Sequence, residues 1–289
     1  MLANLNKVLI PAREKGYAIG SFNVHNLETI KAAFDAANSL GLPIIIAFGE
    51  KVSHIIDIQL IARCVRFLAD RTILPVVLHL DHCKSEDLII EAIRAGFTSV
   101  MYDGSDLEIM ENIEKTSRIV KIAHTANVTV EAELGYVPAE DKGQSIYENQ
   151  LTIPQEAKMF AEKTECDALA IAIGTIHGNY IGKPKIFHER LKEIARAISI
   201  PLVLHGGSGN TEEDIILAID EGISKININT EISNAAVERL RNIFKEDYSG
   251  HLSNISGKII DSMTEVIKEK MILFSRGKID LIKKVSKSK

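Results

Sequence analysis

Eight short apolar runs, rich in β-branched residues, recur between Tyr17 and Asn229: YAIGSF, PIIIAF, PVVLHL, TSVMY, VTVEAEL, ALAIAI, PLVLH and KININ. Between them lie segments with the period of an amphipathic helix, among them NLETIKAAFDAANSLG, SEDLIIEAIRAG, DLEIMENIEKTSRIVKIAHTAN and TEEDIILAIDEG. Several open on Asn, Ser, Asp or Thr and close on Gly or Asn, the residues that cap helices. Strands apolar along their whole length need cover on both faces, which parallel pairing under a layer of helices provides. Eight such units match an α/β fold of the closed (β/α)₈ type, the TIM barrel, for which about 250 residues is typical. An open doubly wound sheet is the rival. Its Gly-rich phosphate fingerprint is absent after the first strand, where the chain reads SFNVHNLE, so the barrel is preferred.

After the eighth strand, NTEISNAAVERLRNIFKE completes the last barrel helix and SNISGKIIDSMTEVIKEKMILFSR adds further helix. The expectation is one barrel domain over residues 1–289, with a C-terminal helical extension over about residues 250–286 that covers the barrel or a neighbouring subunit. The connection GYVPAEDKGQSIYENQLTIP, from Gly135 to Pro154, is long for a compact domain and reads as a mobile lid.

Charge excludes some functions. The formal net charge is −5 and basic residues are scattered, apart from the frayed end KKVSKSK, so no basic face for nucleic acid or an anionic membrane is expected. No Trp and 5% aromatic residues argue against a base-stacking surface. No apolar run reaches the roughly 18 residues needed to cross a bilayer. Three widely spaced cysteines and no secretory segment at the start point to a reducing cytoplasm.

In this barrel type, reactive groups sit where strands end and βα loops begin. Asn23 follows the first run, Asp81 and His82 the third, Asp103 the fourth, Glu133 the fifth, His177 the sixth, His205 the seventh and Asn227 the eighth. The opposite ends, such as SLGLP, RTILP and AISIP, carry no such cluster. Three imidazoles from separate strands can hold Zn²⁺ and leave its fourth position open, as a catalytic zinc requires. Taken singly, each histidine reads as a packing or turn residue; their common rim favours ligands. Asp81 and His82 are neighbours and would face opposite sides of a regular strand, so the chain is expected to turn there. His79 shares the parity of Asp81 and either supports the site or fills the barrel. Cys83 reads as an inert buried thiol rather than a soft ligand. His25, His54, His124, His188 and His251 fall on helices or loops away from the rim, as surface residues.

Glu131 and Glu133 share one strand face, and carboxylates inside a barrel need a cation. A metal supplies it for Glu133, whereas Glu131 could pair with a lysine or arginine from a neighbouring strand. HGGSGN and NINTEIS each lead into a helix and together aim backbone N–H groups, Ser208 and Thr230 at one region after strands seven and eight, where barrels commonly bind phosphate. Gly206, Gly207 and Gly209 permit close backbone approach there, as would a plain turn. Lys183 or Lys185 could add charge from the sixth loop, or be solvated surface lysines.

HLDHCKS, GFTSVMYDGS, VEAELG, GTIHG, HGGSG and KININTE, in this order and spacing, resemble the class II (zinc-dependent) ketose-bisphosphate aldolases, from SFNV to about FSRGK. The resemblance implies one catalytic Zn²⁺ on His82, His177 and His205, and admits a monovalent cation. It implies Asp81 as the group exchanging a proton with the C4 hydroxyl. Gly178, Gly206, Gly207, Ser208, Asn227, Asn229 and Thr230 then line the dihydroxyacetone phosphate half, with Asn227 near the enediolate; Asn23 and Lys183 complete the substrate contacts. His79, Asp103, Glu131 and Glu133 stand behind the metal.

The implied activity is reversible cleavage of a phosphorylated ketose, by default fructose 1,6-bisphosphate and next tagatose 1,6-bisphosphate, to dihydroxyacetone phosphate and an aldehyde. A homodimer or homotetramer is implied, with no nucleic-acid or membrane partner. The chain also departs from the family pattern. A Gly-Gly pair before the lid acid is replaced by YVPAEDKG, which leaves Glu140 or Asp141 as the acid; Gly49 stands where Ser or Thr is common; and Asn229 stands where some relatives have aspartate. The altered lid motivates an alternative, a catalytically silent metal-binding barrel acting as an assembly or regulatory subunit. A zinc hydrolase on the same fold ranks last, for want of a His-x-His near the first strand.

Overall fold

Each of the eight apolar runs is a strand in the computed structural model: β1 (Ile19–Asn23), β2 (Ile44–Gly49), β3 (Val76–Cys83), β4 (Ser99–Tyr102), β5 (Thr129–Leu134), β6 (Ala168–Ile171), β7 (Leu202–Leu204) and β8 (Ile223–Ile228). It describes residues 1–138, 151–180, 182, 184–245 and 250–287. All neighbouring strands are parallel and β8 pairs with β1, so the sheet closes in sequence order. This is the (β/α)₈ barrel that the apolar runs predict, and the open sheet is set aside.

A helix that the apolar pattern does not announce, α1 (Leu5–Lys15), precedes the barrel. Leu5 and Leu9 are fully buried, the Leu5 N–H donates to Thr129 Oγ1 at the start of β5, and Arg13 donates to the carbonyls of Ala195, Ile198 and Ile200. These contacts close the end of the barrel away from the reactive rim. The outer ring follows: α2 (Leu27–Leu40), α3 (Ile58–Ala69), α4 (Glu86–Ala95), α5 (Ile109–Thr125), α6 (Pro154–Thr164), α7 (His188–Ala197), α8 (Glu212–Asp220) and α9 (Thr230–Lys245). Local chemistry fixes their starts. Asn26 and Thr29 form a reciprocal capping box on α2, and the side chains of Ser85 and Thr211 accept from the third helical N–H of α4 and α8.

Beyond the ring lie α10 (Leu252–Phe274) and α11 (Ile279–Lys287). Met263, Ile267, Met271 and Phe274 form a buried stripe by which α10 packs against α2, α9 and β1 of the same chain. Each such side chain contributes about 1.5–3 kcal/mol on burial. The C-terminal extension therefore covers the barrel of its own chain. Among the described residues, no helix is long and apolar enough to cross a membrane.

Barrel interiors are mostly layers of branched aliphatic side chains. Here the layers nearest the C-terminal rim are polar: His79, Glu131, Lys225 and His205 are fully buried, and Asp81, Glu133 and Asn227 almost so.

Candidate active site

The third strand does not turn between Asp81 and His82. It runs on to Cys83 through a bulge, seen as a register shift against β4 between Leu80 and Cys83. His82 takes a left-handed backbone, φ 47°, and its N–H donates to Met101 Sδ. Such a conformation costs a residue with a Cβ about 1–3 kcal/mol. The bulge swings His82 onto the same side as Asp81, so two consecutive residues serve one cavity.

Three imidazoles meet there. His82 Nε2 lies 3.1 Å from His177 Nε2 and 2.7 Å from His205 Nδ1. The His82 ring stands at 80° and 72° to the other two, so the nitrogens converge while the rings diverge. Nitrogens sharing one tetrahedral ion at 2.0–2.1 Å sit about 3.3 Å apart, near the His82–His177 spacing and somewhat wider than the His82–His205 one. The outward nitrogens meet carboxylates: His82 Nδ1 is 2.9 Å from Asp103 Oδ2 and 3.4 Å from Glu133 Oε2, and His205 Nε2 is 2.9 Å from Glu131 Oε1. Carboxylates in those positions fix the tautomer that leaves a lone pair free for a cation. Glu133 Oε2, buried and 3.4 Å from His82 Nδ1, has no hydrogen-bond partner. The donor set therefore fits one divalent ion, with His82, His177 and His205 able to hold it.

Electrostatics agree. Burial pushes His177 down to about 4, with His82 adding to the effect, and burial pushes His205 well below its ordinary range. Burial would also lower His82, but Asp81, Asp103 and Glu133 outweigh it and raise the ring to about 9. One positive charge is thus favoured at the point where the rings meet. Burial, with Asp103 adding to it and His82 opposing it, raises Glu133 to about 8.

Asp81 accepts from Asn227 Nδ2 at 3.1 Å through Oδ1 and from Asn23 Nδ2 at 2.8 Å through Oδ2. Burial alone would raise its pKa, yet His82, Lys225, His205 and His79 hold it well below the carboxylate range. An ionised, fixed carboxylate beside a cation site is placed to take a proton. Beneath it, His79 Nδ1 is 2.8 Å from Ser99 Oγ, while Nε2 has no hydrogen-bond partner and lies 3.8 Å from Asp81 and 3.7 Å from Glu131. His79 both fills the interior and backs the site.

Glu131 pairs with a lysine, Lys225, at 2.9 Å. The partner comes from β8 across the barrel, not from a neighbouring strand as expected. Its signal is present in KININ: Lys225 shares the parity of Asn227 and so points inward with it.

Asn23, Asp81, His82, Glu133, His177 and Asn227 line a cavity of about 390 Å³ on the C-terminal rim, with His79, Glu131, His205 and Lys225 buried behind it. Gly178, Gly206, Ser208, Asn229 and Thr230, which follow β6, β7 and β8, line it. Gly206 has φ 65°, and a Cβ there would lie 2.2 Å from the Ile176 carbonyl oxygen, so only glycine fits. Gly207 is not on the cavity wall; a Cβ there would strike Ile226 of β8 at 2.6 Å, so it serves packing. Of the two helix starts after β7 and β8, only that of α9, at Thr230, faces the cavity, while α8 begins behind Thr211. His25, Gly49, Lys51, Lys84 and Tyr136, at or after the ends of β1, β2, β3 and β5, line it as well.

His25 corrects an expectation: it lies on the cavity wall, because the pairing with β2 carries on past Asn23 through the Val24 N–H to the Ala47 carbonyl and His25 keeps the parity of Asn23. His188 is no free surface residue either, being held by Glu221 at 2.7 Å and Asp214 at 3.4 Å. The Cys83 thiol donates to the Ser85 carbonyl, and burial pushes it up to about 12, so it is an inert thiol. Lys185 stacks on the Phe187 ring, 4.3 Å from its centre. Lys183, Glu140 and Asp141, and most of the long connection, lie outside the described residues.

The comparisons with known proteins agree in kind. The family model described as fructose-bisphosphate aldolase class-II matches residues 3–278. A sulfofructosephosphate aldolase of Alkalicoccus urumqiensis is 35% identical over 266 residues, which are 91% of this chain and 93% of that protein. A fructose-bisphosphate aldolase of Staphylococcus epidermidis is 39% identical over 249 residues, 85% of this chain and 87% of that one. The crystal structure of the YdjI aldolase from Escherichia coli K12 aligns with a TM-score of 0.87 at 35% identity, over 96% of this chain and 100% of the other. With its closed barrel and its rim of histidines and carboxylates, the chain belongs to the class II fructose-bisphosphate aldolase family and is an aldolase, a carbon–carbon lyase.

Proposed function

We propose that this aldolase is zinc-dependent and reversibly cleaves a phosphorylated ketose to dihydroxyacetone phosphate and an aldehyde. The observation that carries the reading is the convergence of three imidazole nitrogens, His82 lying 2.7 Å from His205 and 3.1 Å from His177, beside an Asp81 carboxyl held well below its usual range. Zinc on His82, His177 and His205 would act as a Lewis acid toward the ketose carbonyl. Asp81 takes the proton of the C4 hydroxyl as the C3–C4 bond breaks. The bonding electrons pass to the carbonyl, the aldehyde departs, and an enediolate of dihydroxyacetone phosphate remains. Asn227 Nδ2, already directed at Asp81, donates toward the developing negative charge. The glycine-rich end, with Ser208, Asn229 and Thr230, receives the phosphate. A lid acid, Glu140 or Asp141, returns the proton to C3.

Fructose 1,6-bisphosphate is the default substrate, followed by tagatose 1,6-bisphosphate and, further behind, a phosphorylated inositol-catabolite or sulfosugar ketose. The relatives differ here: one is named for sulfofructosephosphate and another for fructose bisphosphate, at 35% and 39% identity. Gly49 ends β2, across the closed barrel from β6 and Gly178, and lines the cavity on the side where the aldehyde half would sit. The test is a panel of ketose bisphosphates and monophosphates assayed for dihydroxyacetone phosphate release, with and without a chelator. Release abolished by chelator and restored by zinc is expected. Turnover that survives full metal removal overturns the zinc reading, and no release from any ketose phosphate overturns the substrate class.

A further inference from the structure

A lysine ammonium lies fully buried inside the barrel, below the site and out of reach of solvent. Lys225 Nζ is 2.9 Å from Glu131 Oε2, 3.1 Å from Glu131 Oε1 and 2.7 Å from Asn227 Oδ1. Glu131 in turn receives His205 Nε2, and Asn227 reaches Asp81. One cation thus joins two arms, one ending on a proposed metal ligand and the other on the proposed base.

Donor and acceptor inventories make the consequence strict. An ammonium has three N–H donors and no acceptor, so Asn227 must present its oxygen to Lys225. The other end of the amide is then –NH₂, and it faces Asp81 and the cavity. A flipped Asn227 would set a carbonyl oxygen against the Asp81 carboxylate and an –NH₂ against the ammonium, unfavourable at both ends. The second arm works the same way. Glu131, fully buried, needs a countercharge to stay ionised, and Lys225 is the cation within ion-pair distance. Ionised Glu131 accepts the Nε2–H of His205, which fixes the tautomer whose Nδ1 lone pair points at His82.

We propose that Lys225 is a positioning residue for the reaction: it sets the amide of Asn227 so that an N–H donor faces Asp81 and the reacting oxygens, and it holds Glu131 as the acceptor that orients His205. This rests on the zinc-aldolase reading above. Lys225 forms no bond to substrate, and its nitrogen is engaged with groups that exclude a role as nucleophile.

The test compares the full chain with Lys225→Met and with Lys225→Met combined with Glu131→Gln. The double variant removes the charge imbalance and keeps an acceptor for His205, so it folds even where the single variant fails, and His79 Nε2 can accept from the new amide. Zinc affinity is read by competition with a chelating dye, and steady-state cleavage is read on the ketose phosphate that the unsubstituted chain turns over. Lys225→Met should bind zinc about 10–100-fold more weakly, the usual effect of losing a group behind a ligand. The double variant should recover most of that affinity, yet when zinc-loaded should keep a kcat at least about tenfold down with KM little changed, since Asn227 is no longer oriented and its donor acts on the transition state. Wild-type kcat in the zinc-loaded double variant overturns the Asn227 arm, and an unchanged zinc affinity in Lys225→Met overturns the Glu131 arm. A chain inactive on every ketose phosphate defeats the substrate reading instead, and the zinc affinities still decide the second arm.

Discussion

Replacing Asp81 by alanine separates the base from the metal. Asp81 touches no imidazole within hydrogen-bond distance; its two oxygens are held by Asn23 and Asn227. Alanine removes a buried carboxylate and leaves two amide donors without their acceptor, each costing about 1–3 kcal/mol if water does not replace it. Against that, the desolvation of a buried charge is relieved, and the void beside an open cavity admits water, so the net loss of stability should be small. Catalysis is another matter. Loss of a positioned base typically costs 10²–10⁴ in rate, which at 1.36 kcal/mol per tenfold is about 2.7–5.4 kcal/mol of transition-state stabilisation. The assay is dihydroxyacetone phosphate release from zinc-loaded protein, with zinc per chain measured on the same sample. The expected result is full zinc content with kcat at least about a hundredfold down. Full zinc content with activity within tenfold of the unsubstituted chain would refute the role given to Asp81.

Removing a ligand should behave differently: His205→Ala is expected to lose zinc and activity together, checked by metal analysis after dialysis. Gly206→Ala forces a Cβ to 2.2 Å from the Ile176 carbonyl at φ 65°, so thermal unfolding should show lower stability, by at least the 1–2 kcal/mol of a left-handed backbone, and the KM for the phosphorylated substrate should rise. At Gly49 an added Cβ meets nothing closer than the Asp81 carbonyl at 3.9 Å, so Gly49→Ser should leave the melting temperature nearly unchanged while shifting kcat/KM among ketoses of different aldehyde halves. Burial pushes the thiols of Cys83 and Cys166 up to about 12. Both stay protonated at pH 8 and become thiolate only as the pH approaches 12, so a thiol titration of the native protein at pH 8 should find neither, and both should appear on unfolding.

Much of the fold and the site is legible in the sequence because burial on both faces writes itself into the strands. PIIIAF and PVVLHL are apolar throughout, and the first polar residues after such runs fall at the rim by necessity. That logic brings Asp81, His82, Glu133 and Asn227 from three strands together with His177 and His205 from the segments that follow β6 and β7. It fails where local geometry breaks the period. Nothing in HLDHC announces the bulge that lets Asp81 and His82 face one way. Helix α1 has an Asn cap and Leu5, Val8, Leu9 and Ala12 at helical spacing, but Pro11 inside it masks the pattern. His25 reads as a surface residue because nothing in the sequence shows that the pairing with β2 carries on past Asn23, through the Val24 N–H to the Ala47 carbonyl. Lys225 escapes notice because a lysine in a strand ordinarily reads as solvent-facing, and the carboxylate that makes its burial tolerable stands 94 residues away on β5.

X-ray absorption at the zinc edge, on protein loaded with one equivalent of zinc, tests the account most directly. Three nitrogen scatterers at about 2.0–2.1 Å with imidazole outer-shell features, lost in His82→Ala, are the predicted result. A sulfur scatterer near 2.3 Å, or zinc bound with no imidazole signature, would contradict it.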